Sequence, residues 1–252
     1  MEPKVFAFTR SGVLLVGADA PRAPTRRELE GAGVSLAGAR SLPGAEDAFV
    51  WLGDTEAEGL RAVGMRSLFG VWEHADLERA FLASQLAHFD RMTAFCGQCS
   101  ARTAWKPGPE GVHVKVCAAC DHDFYPAIAP CAIVLVADGD RVLLTRKAIF
   151  PGGFYGLVAG FLEPAETLEA CAAREVLEET GVRIRDVRYF GSQPWPFPSQ
   201  LMVGFTATYD GGDIVVDRTE LEDARWFHRD ELPKLPPPQS IARRLIEAWR
   251  AP

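Results

Sequence analysis

Residues Gly160–Val182 read GFLEPAETLEACAAREVLEETGV, and the placing of its acids decides how the chain is read. The run from about Thr167 to Thr180 predicts a helix, closed by Gly181 where a left-handed cap residue belongs. Glu175, Glu178 and Glu179 crowd its C-terminal end. Like charges one turn apart destabilise a helix by a few tenths of a kcal/mol per pair, roughly, and acids at that end face the negative pole of the helix dipole. Glu175 and Glu179 lie one turn apart and Glu178 is three residues from Glu175, so all three project over one arc. A hard cation with oxygen ligands would convert their repulsion into coordination. Gly160 allows close backbone approach, Glu166 sits on the turn entering the helix, and Arg174 is placed to pair with one of the acids. A solvated glutamate-rich face would also contain such a triplet, so the surrounding chain has to separate the two.

Outward from this stretch the pattern is α/β. CAIVLVA (131–137) and RVLLTRK (141–147) predict strands, followed by a loop punctuated by Pro and Gly at 151–153. Further strands are expected at 187–190, 201–209 and 213–216, the last two joined through Asp210-Gly211-Gly212. After the proline-rich stretch 232–238 comes a terminal helix, QSIARRLIEAWR (239–250). Nearer the N-terminus, VFAFT (5–9) and GVLLVG (12–17) predict strands around a turn, and DAFVWLG (47–53) another. Leu77, Phe81, Leu82, Leu86 and Phe89 recur at helical intervals over 76–92. Nothing in residues 1–92 declares chemistry, and a structural or oligomerisation role is expected there.

The 252 residues are 48% hydrophobic and 24% charged, with a net charge of −7. That acidity argues against broad nucleic-acid binding, which relies on many Lys and Arg contacts to phosphate. A nucleotide substrate stays open, because a bound divalent cation can reverse the local field. No apolar stretch reaches the about 18 residues needed to cross a bilayer, and the N-terminus lacks a secretory pattern. A cytoplasmic location is expected, which makes structural disulfides an unfavoured account of the six cysteines. Four of these, Cys96, Cys99, Cys117 and Cys120, follow the spacing C-x2-C-x17-C-x2-C, which suits a closed four-thiolate zinc site. Cys131 and Cys171 lie in apolar surroundings and read as small core residues.

Gly160, Glu166, Arg174, Glu175, Val176, Glu178, Glu179, Gly181 and Val182 match all nine defined positions of the Nudix box. The chain thus resembles the Nudix hydrolase family. Residues 192–200, SQPWPFPSQ, begin ten residues after the box; their prolines remove donors and stiffen an extended segment. The array is similar to the SQPWPFPxS motif of the NADH pyrophosphatase branch, which also carries a four-cysteine ribbon and an N-terminal domain of this size. One departure is visible: the final Ser of the motif is Gln200 here, with Ser199 before it.

The resemblance implies an α/β class and a Nudix α/β/α sandwich with a mixed sheet (127–252), preceded by a zinc ribbon (93–126) and a small α+β domain (1–92). It implies hydrolysis of the diphosphate of NADH or NAD, or of an NAD cap on an RNA 5′ end, with Mg²⁺ or Mn²⁺. Zinc would be held by the four cysteines, and the catalytic cations by Glu175, Glu179, the carbonyl of Ala159 and a later glutamate, Glu220, with Glu222 as competitor. Glu178 or Glu179 would act as base on a water that the metal makes more acidic. Substrate contacts would come from Arg66, Tyr125, Gln193, Pro194, Trp195, Pro196, Phe197, Pro198, Ser199, Gln200 and Ala242. Phe161 is a further candidate, placed to sandwich a flat ring with Tyr125. The family's dimers suggest that Tyr125 comes from a second subunit, so a homodimer is expected. Two other readings stay open: a Nudix hydrolase for another nucleoside diphosphate such as ADP-ribose, and a zinc-ribbon nucleic-acid-binding regulator with an inactive Nudix domain. The proline–aromatic array disfavours the first; the complete box and the acidic charge disfavour the second.

Overall fold

The computed structural model describes residues 2–55, 57–106, 113–148 and 152–251. Residues 107–112 of the expected ribbon and Pro151 of the expected loop lie outside the described residues. The chain divides into two compact units, residues 1–127 with 196–199, and residues 128–195 with 200–252.

The first unit contains β1 (Val5–Thr9), β2 (Gly12–Leu15), α1 (Arg26–Gly31), β3 (Arg40–Ser41), β4 (Ala48–Gly53), β5 (Arg61–Val63), α2 (His74–Met92), β6 (Thr103–Trp105), β7 (Lys115–Cys117) and β8 (Asp123–Phe124). A five-stranded sheet runs in the order β3-β4-β1-β2-β5. Alternation along β1 sends Phe6 and Phe8 into one cluster with Leu77, Phe81 and Leu86 of α2, and Val5 and Ala7 into another with Leu29 of α1. The strands β6, β7 and β8 form a separate three-stranded antiparallel sheet that carries the second cysteine pair.

The second unit contains β9 (Ala129–Asp138), β10 (Arg141–Arg146), β11 (Val158–Phe161), α3 (Leu168–Thr180), β12 (Ile184–Trp195), β13 (Gln200–Tyr209), β14 (Asp223–His228) and α4 (Ile241–Arg250). Its six-stranded sheet runs β12-β13-β9-β10-β14, with β11 also paired to β9. The sheet is mixed, since β13 runs parallel to β9 while β11 is antiparallel to it. Period-two alternation decides the layers. Ala132, Val134 and Val136 of β9 pack with Cys171, Ala172 and Val176 of α3. Cys131, Ile133 and Leu135 pack with Ile241, Leu245 and Ile246 of α4. Each helix therefore covers one face, and the α/β/α sandwich follows. Cys131 and Cys171 are both buried, on opposite faces.

One expected element is not formed. Residues 213–216 are not a strand, and Asp210-Gly211-Gly212 does not turn a hairpin into one. The Val215 and Asp217 N–H groups donate instead to the carbonyls of Thr180 and Glu179, at 2.8 and 3.0 Å. These carbonyls belong to the last turn of α3 and have no partner within the helix. The segment is extended and apolar in pattern, but its hydrogen bonds are spent on capping. No helix among the described residues is long and apolar enough to cross a membrane.

Candidate functional site

The acidic helix α3 starts and stops as its sequence dictates. Thr167 caps it by accepting from the Ala170 N–H at 3.2 Å, and Gly181 ends it at φ +72°. The three acids at its end are not equivalent. The Glu179 side chain is only 2% exposed, Glu175 13% and Glu178 59%.

Arg174 organises the first group. Its guanidinium donates from Nε and Nη2 to both oxygens of Glu166, at 2.8 and 2.9 Å, a bidentate fork. It also donates to Glu175 at 2.8 Å, Glu178 at 3.0 Å and the Phe161 carbonyl at 2.9 Å. Arg174 holds the Glu166 carboxyl down to about 2. Glu175 lies against the backbone of β11 at Gly160, where a Cβ would come within 1.7 Å of the carboxyl carbon. Only glycine at 160 leaves that space. Ala159, next to it on β11, pairs with Ile133 of β9.

Lys147 organises the second group. Its ammonium donates to Glu179 Oε1 at 2.6 Å and to Glu220 Oε2 at 3.5 Å. Glu222 is engaged elsewhere, accepting from Arg146 Nε at 2.9 Å. The other Glu179 oxygen, Oε2, is buried with no hydrogen-bond partner. Burial pushes the Glu179 carboxyl up to about 7 against the attraction of Lys147. At Lys147 the balance is reversed: burial opposes its charge, but the Glu179 and Glu220 carboxylates together outweigh that and raise it. Attraction alone would lower the acid, so desolvation is the larger effect at the carboxyl. A buried carboxylate with a free oxygen, beside a second carboxylate and a glycine-cleared third, fits a hard divalent cation.

The raised Glu179 carboxyl has a consequence for stability. Below about 4.5 it is protonated folded or unfolded; between there and about 7 the folded state holds the extra proton. Protein without added divalent cation is therefore expected to lose stability as pH rises through that window, by roughly 1–3 kcal/mol from this group. Denaturant unfolding at the two ends of the window measures it, with Glu179→Gln as the variant in which this slope disappears.

The cysteines form two matching knuckles. The Ser100 N–H donates to the Cys96 carbonyl at 2.9 Å and the Asp121 N–H to the Cys117 carbonyl at 2.8 Å, and Ser100 and Asp121 both have positive φ, 61° and 56°. The four sulfurs lie within 4.8 Å of one another and none is in a disulfide. Contacts of 3.4 Å (Cys99–Cys117) and 3.6 Å (Cys96–Cys120, Cys99–Cys120) approach the about 3.8 Å edge of a thiolate tetrahedron with about 2.3 Å metal–sulfur bonds.

The remaining expected residues fall in several places. In the second unit Gln193 clamps the start of α4, accepting from the Ile241 N–H at 2.7 Å and donating to the Gln239 carbonyl at 2.9 Å. Trp195 and Ala242 of α4 pack against the same core cluster, Pro194 is exposed, and Gln200 begins β13 opposite Trp195. Phe161 is 51% exposed. In the first unit Phe197 packs against Phe69 and Phe81, with the Arg66 guanidinium 4.8 Å from its ring centre. Pro196 and Pro198 flank it and line a cleft with Trp51 and Met65, while Ser199 donates to the Ala127 carbonyl at 2.8 Å. Tyr125 is 65% exposed. Trp195 and Phe197, two residues apart, thus enter different cores. Lys147 was not singled out from the sequence; the only signal was the pair of cations closing RVLLTRK, of which Lys147 reaches α3 and Arg146 pairs with Glu222.

A mixed sheet between two helices, with the acids gathered at the end of one of them, is the architecture of a Nudix domain. A NUDIX domain model matches residues 127–249. The chain belongs to the Nudix family. It is 46% identical over 197 residues to the NAD-capped RNA hydrolase NudC of Pseudomonas syringae pv. tomato, covering 77% of this chain and 69% of that protein. It is also 46% identical over 168 residues to the NAD-capped RNA hydrolase NudC of Salmonella heidelberg, covering 65% and 62%. A solved NUDIX hydrolase from Nitrosomonas europaea aligns at a TM-score of 0.49 with 30% identity, over 55% of this chain and 80% of that one.

Proposed function

We propose that this chain hydrolyses the diphosphate linkage of NADH and NAD⁺ to nicotinamide mononucleotide and AMP, and removes the same group from NAD-capped RNA 5′ ends. The observation that carries the reading is Glu179, buried on the box helix with one oxygen unpaired, beside Glu220 and one turn from Glu175. The names of the two NudC relatives supply the substrate class.

In this reading Glu175, Glu179, Glu220 and the Ala159 carbonyl offer the hard oxygens. Glu220 is preferred to Glu222 because it shares Lys147 with Glu179, whereas Glu222 is paired with Arg146. A divalent cation, Mg²⁺ or Mn²⁺, supplies positive charge to the diphosphate and makes water a stronger acid. Arg174 fixes Glu175 and Glu178 from one guanidinium, so the positions of both depend on its fork to Glu166. Glu178, the most exposed of the three acids, orients or deprotonates the attacking water. The water oxygen ends on one phosphorus, and the bridging oxygen leaves with the other. Arg66, Tyr125, Phe161, the array Gln193–Gln200 and Ala242 are the residues that the resemblance assigns to substrate contact; of these, Tyr125 and Phe161 present exposed rings. A homodimer that supplies Tyr125 across its interface is supported by the exposure of that ring.

The test is a panel of NADH, NAD⁺, NAD-capped RNA, ADP-ribose and diadenosine polyphosphates, with Mg²⁺ and Mn²⁺ matched. NADH or NAD-capped RNA is expected to lead; a lead for ADP-ribose overturns the substrate assignment. The ribbon is expected to hold about one zinc per chain. Metal analysis after dialysis against a weak chelator checks this, and zinc-free protein or two disulfides would remove the structural site.

A further inference from the structure

Lys147 follows the last residue of β10 and has no part in the reaction scheme above. Among the described residues its hydrogen-bond partners are two carboxylates, Glu179 and Glu220. These are two of the assigned metal ligands, so its ammonium stands on ground that a divalent cation would occupy. The side chain is 20% exposed, with a route to solvent along a flexible four-carbon stem.

The contrast with Arg174 shows which cation yields. Arg174 is pinned by a bidentate fork to Glu166 and by the Phe161 carbonyl, neither of which is an assigned metal ligand. It can stay in place when Glu175 turns to a metal. Lys147 has no such anchor. A divalent ion between Glu179 and Glu220 takes both of its partners and repels it at short range, and a compact point charge on a long stem moves at little cost.

Resting on the assignment of Glu179 and Glu220 as ligands, we propose that Lys147 is a built-in competitor of the catalytic cation. It bridges the two acids when the metal is absent and is displaced when the metal binds, so this lysine sets how much divalent cation the enzyme needs. Without it, Glu179 would be a buried carboxylate with no cationic partner, which is costly. The lysine thus stabilises the metal-free fold at the expense of metal affinity.

The experiment is calorimetric Mn²⁺ titration of wild-type protein, Lys147→Met, Lys147→Gln and Glu179→Gln, with thermal unfolding in the absence and presence of saturating Mn²⁺. Both lysine variants are expected to bind Mn²⁺ about tenfold more tightly and to show a larger Mn²⁺-induced rise in Tm than wild type. Lys147→Gln still donates a hydrogen bond to Glu179 and serves if the Met variant does not fold without metal. Unchanged or weaker Mn²⁺ binding in the lysine variants, with binding lost in Glu179→Gln, overturns the competitor role and leaves the metal site standing. Mn²⁺ binding that survives Glu179→Gln removes the ligand assignment itself, and the competitor role with it.

Discussion

Glu179→Gln is expected to cut AMP release from NADH by about a hundredfold or more, the scale of losing a metal-activated water or its base. Gln matches Glu in size and helix propensity but lacks the charge that a hard cation requires. The fold should survive. The variant loses the 2.6 Å pair with Lys147, yet it also loses the desolvation cost of a carboxylate only 2% exposed. At this carboxyl the desolvation is the larger of the two, and Lys147 can turn to solvent. Above the pH window in which Glu179 ionises, unfolding without added divalent cation is expected to show a gain of roughly 1–3 kcal/mol over wild type, the amount its ionisation costs the folded state. Glu169→Gln, exposed in the first turn of α3, is the control and should stay active. Near-wild-type turnover by the Glu179 variant, in saturating Mg²⁺ or Mn²⁺, would reduce the acidic cluster to a counter-charged patch.

Gly160→Ala is the second large effect, and it separates activity from stability. The new methyl would meet the Glu175 carboxyl carbon at 1.7 Å. That obstacle is the far end of a side chain, so the strand can hold while Glu175 swings off β11. We expect a loss of about 1–3 kcal/mol, in the range of core overpacking. The activity loss should be larger in proportion, about a hundredfold, since a displacement of about 1 Å at a catalytic group costs on that scale. Mn²⁺ affinity should fall with it. Chemical denaturation of Gly160→Ala in a Glu175→Ala background provides the decisive arm. With the carboxylate gone the methyl has room, and the stability cost should largely disappear. A cost that persists would mean the strand itself, and not Glu175, requires glycine.

Much of the site could be read directly because its parts are local. Thr167 and Gly181 bound α3 through contacts three to four residues away, 3.2 Å to the Ala170 N–H and 2.8 Å to the Leu177 carbonyl. The two CxxC knuckles each close on themselves through an N–H to carbonyl bond four residues apart. The alternation along β9 already separates its two faces, since Cys131, Ile133 and Leu135 go one way and Ala132, Val134 and Val136 the other. Periodicity, capping and knuckle geometry are short-range properties, and the amino-acid order specifies them.

What only the tertiary structure decided depends on what stands opposite. Residues 213–216 have a strand's composition, but the end of α3 presents carbonyls that need donors, and Val215 and Asp217 supply them. Trp195 and Phe197 look alike in the array, yet one packs under α4 and the other against Phe69 and Phe81. The acids of α3 looked like repulsion awaiting a metal. Arg174 answers two of them from their own helix, as its place in the sequence indicated, but the buried Glu179 is answered by Lys147, 32 residues earlier in the chain. Local sequence shows that like charges crowd one end of a helix. Which cation answers the buried Glu179 depends on long-range placement across a sheet, where burial makes an uncompensated carboxylate too costly to leave alone.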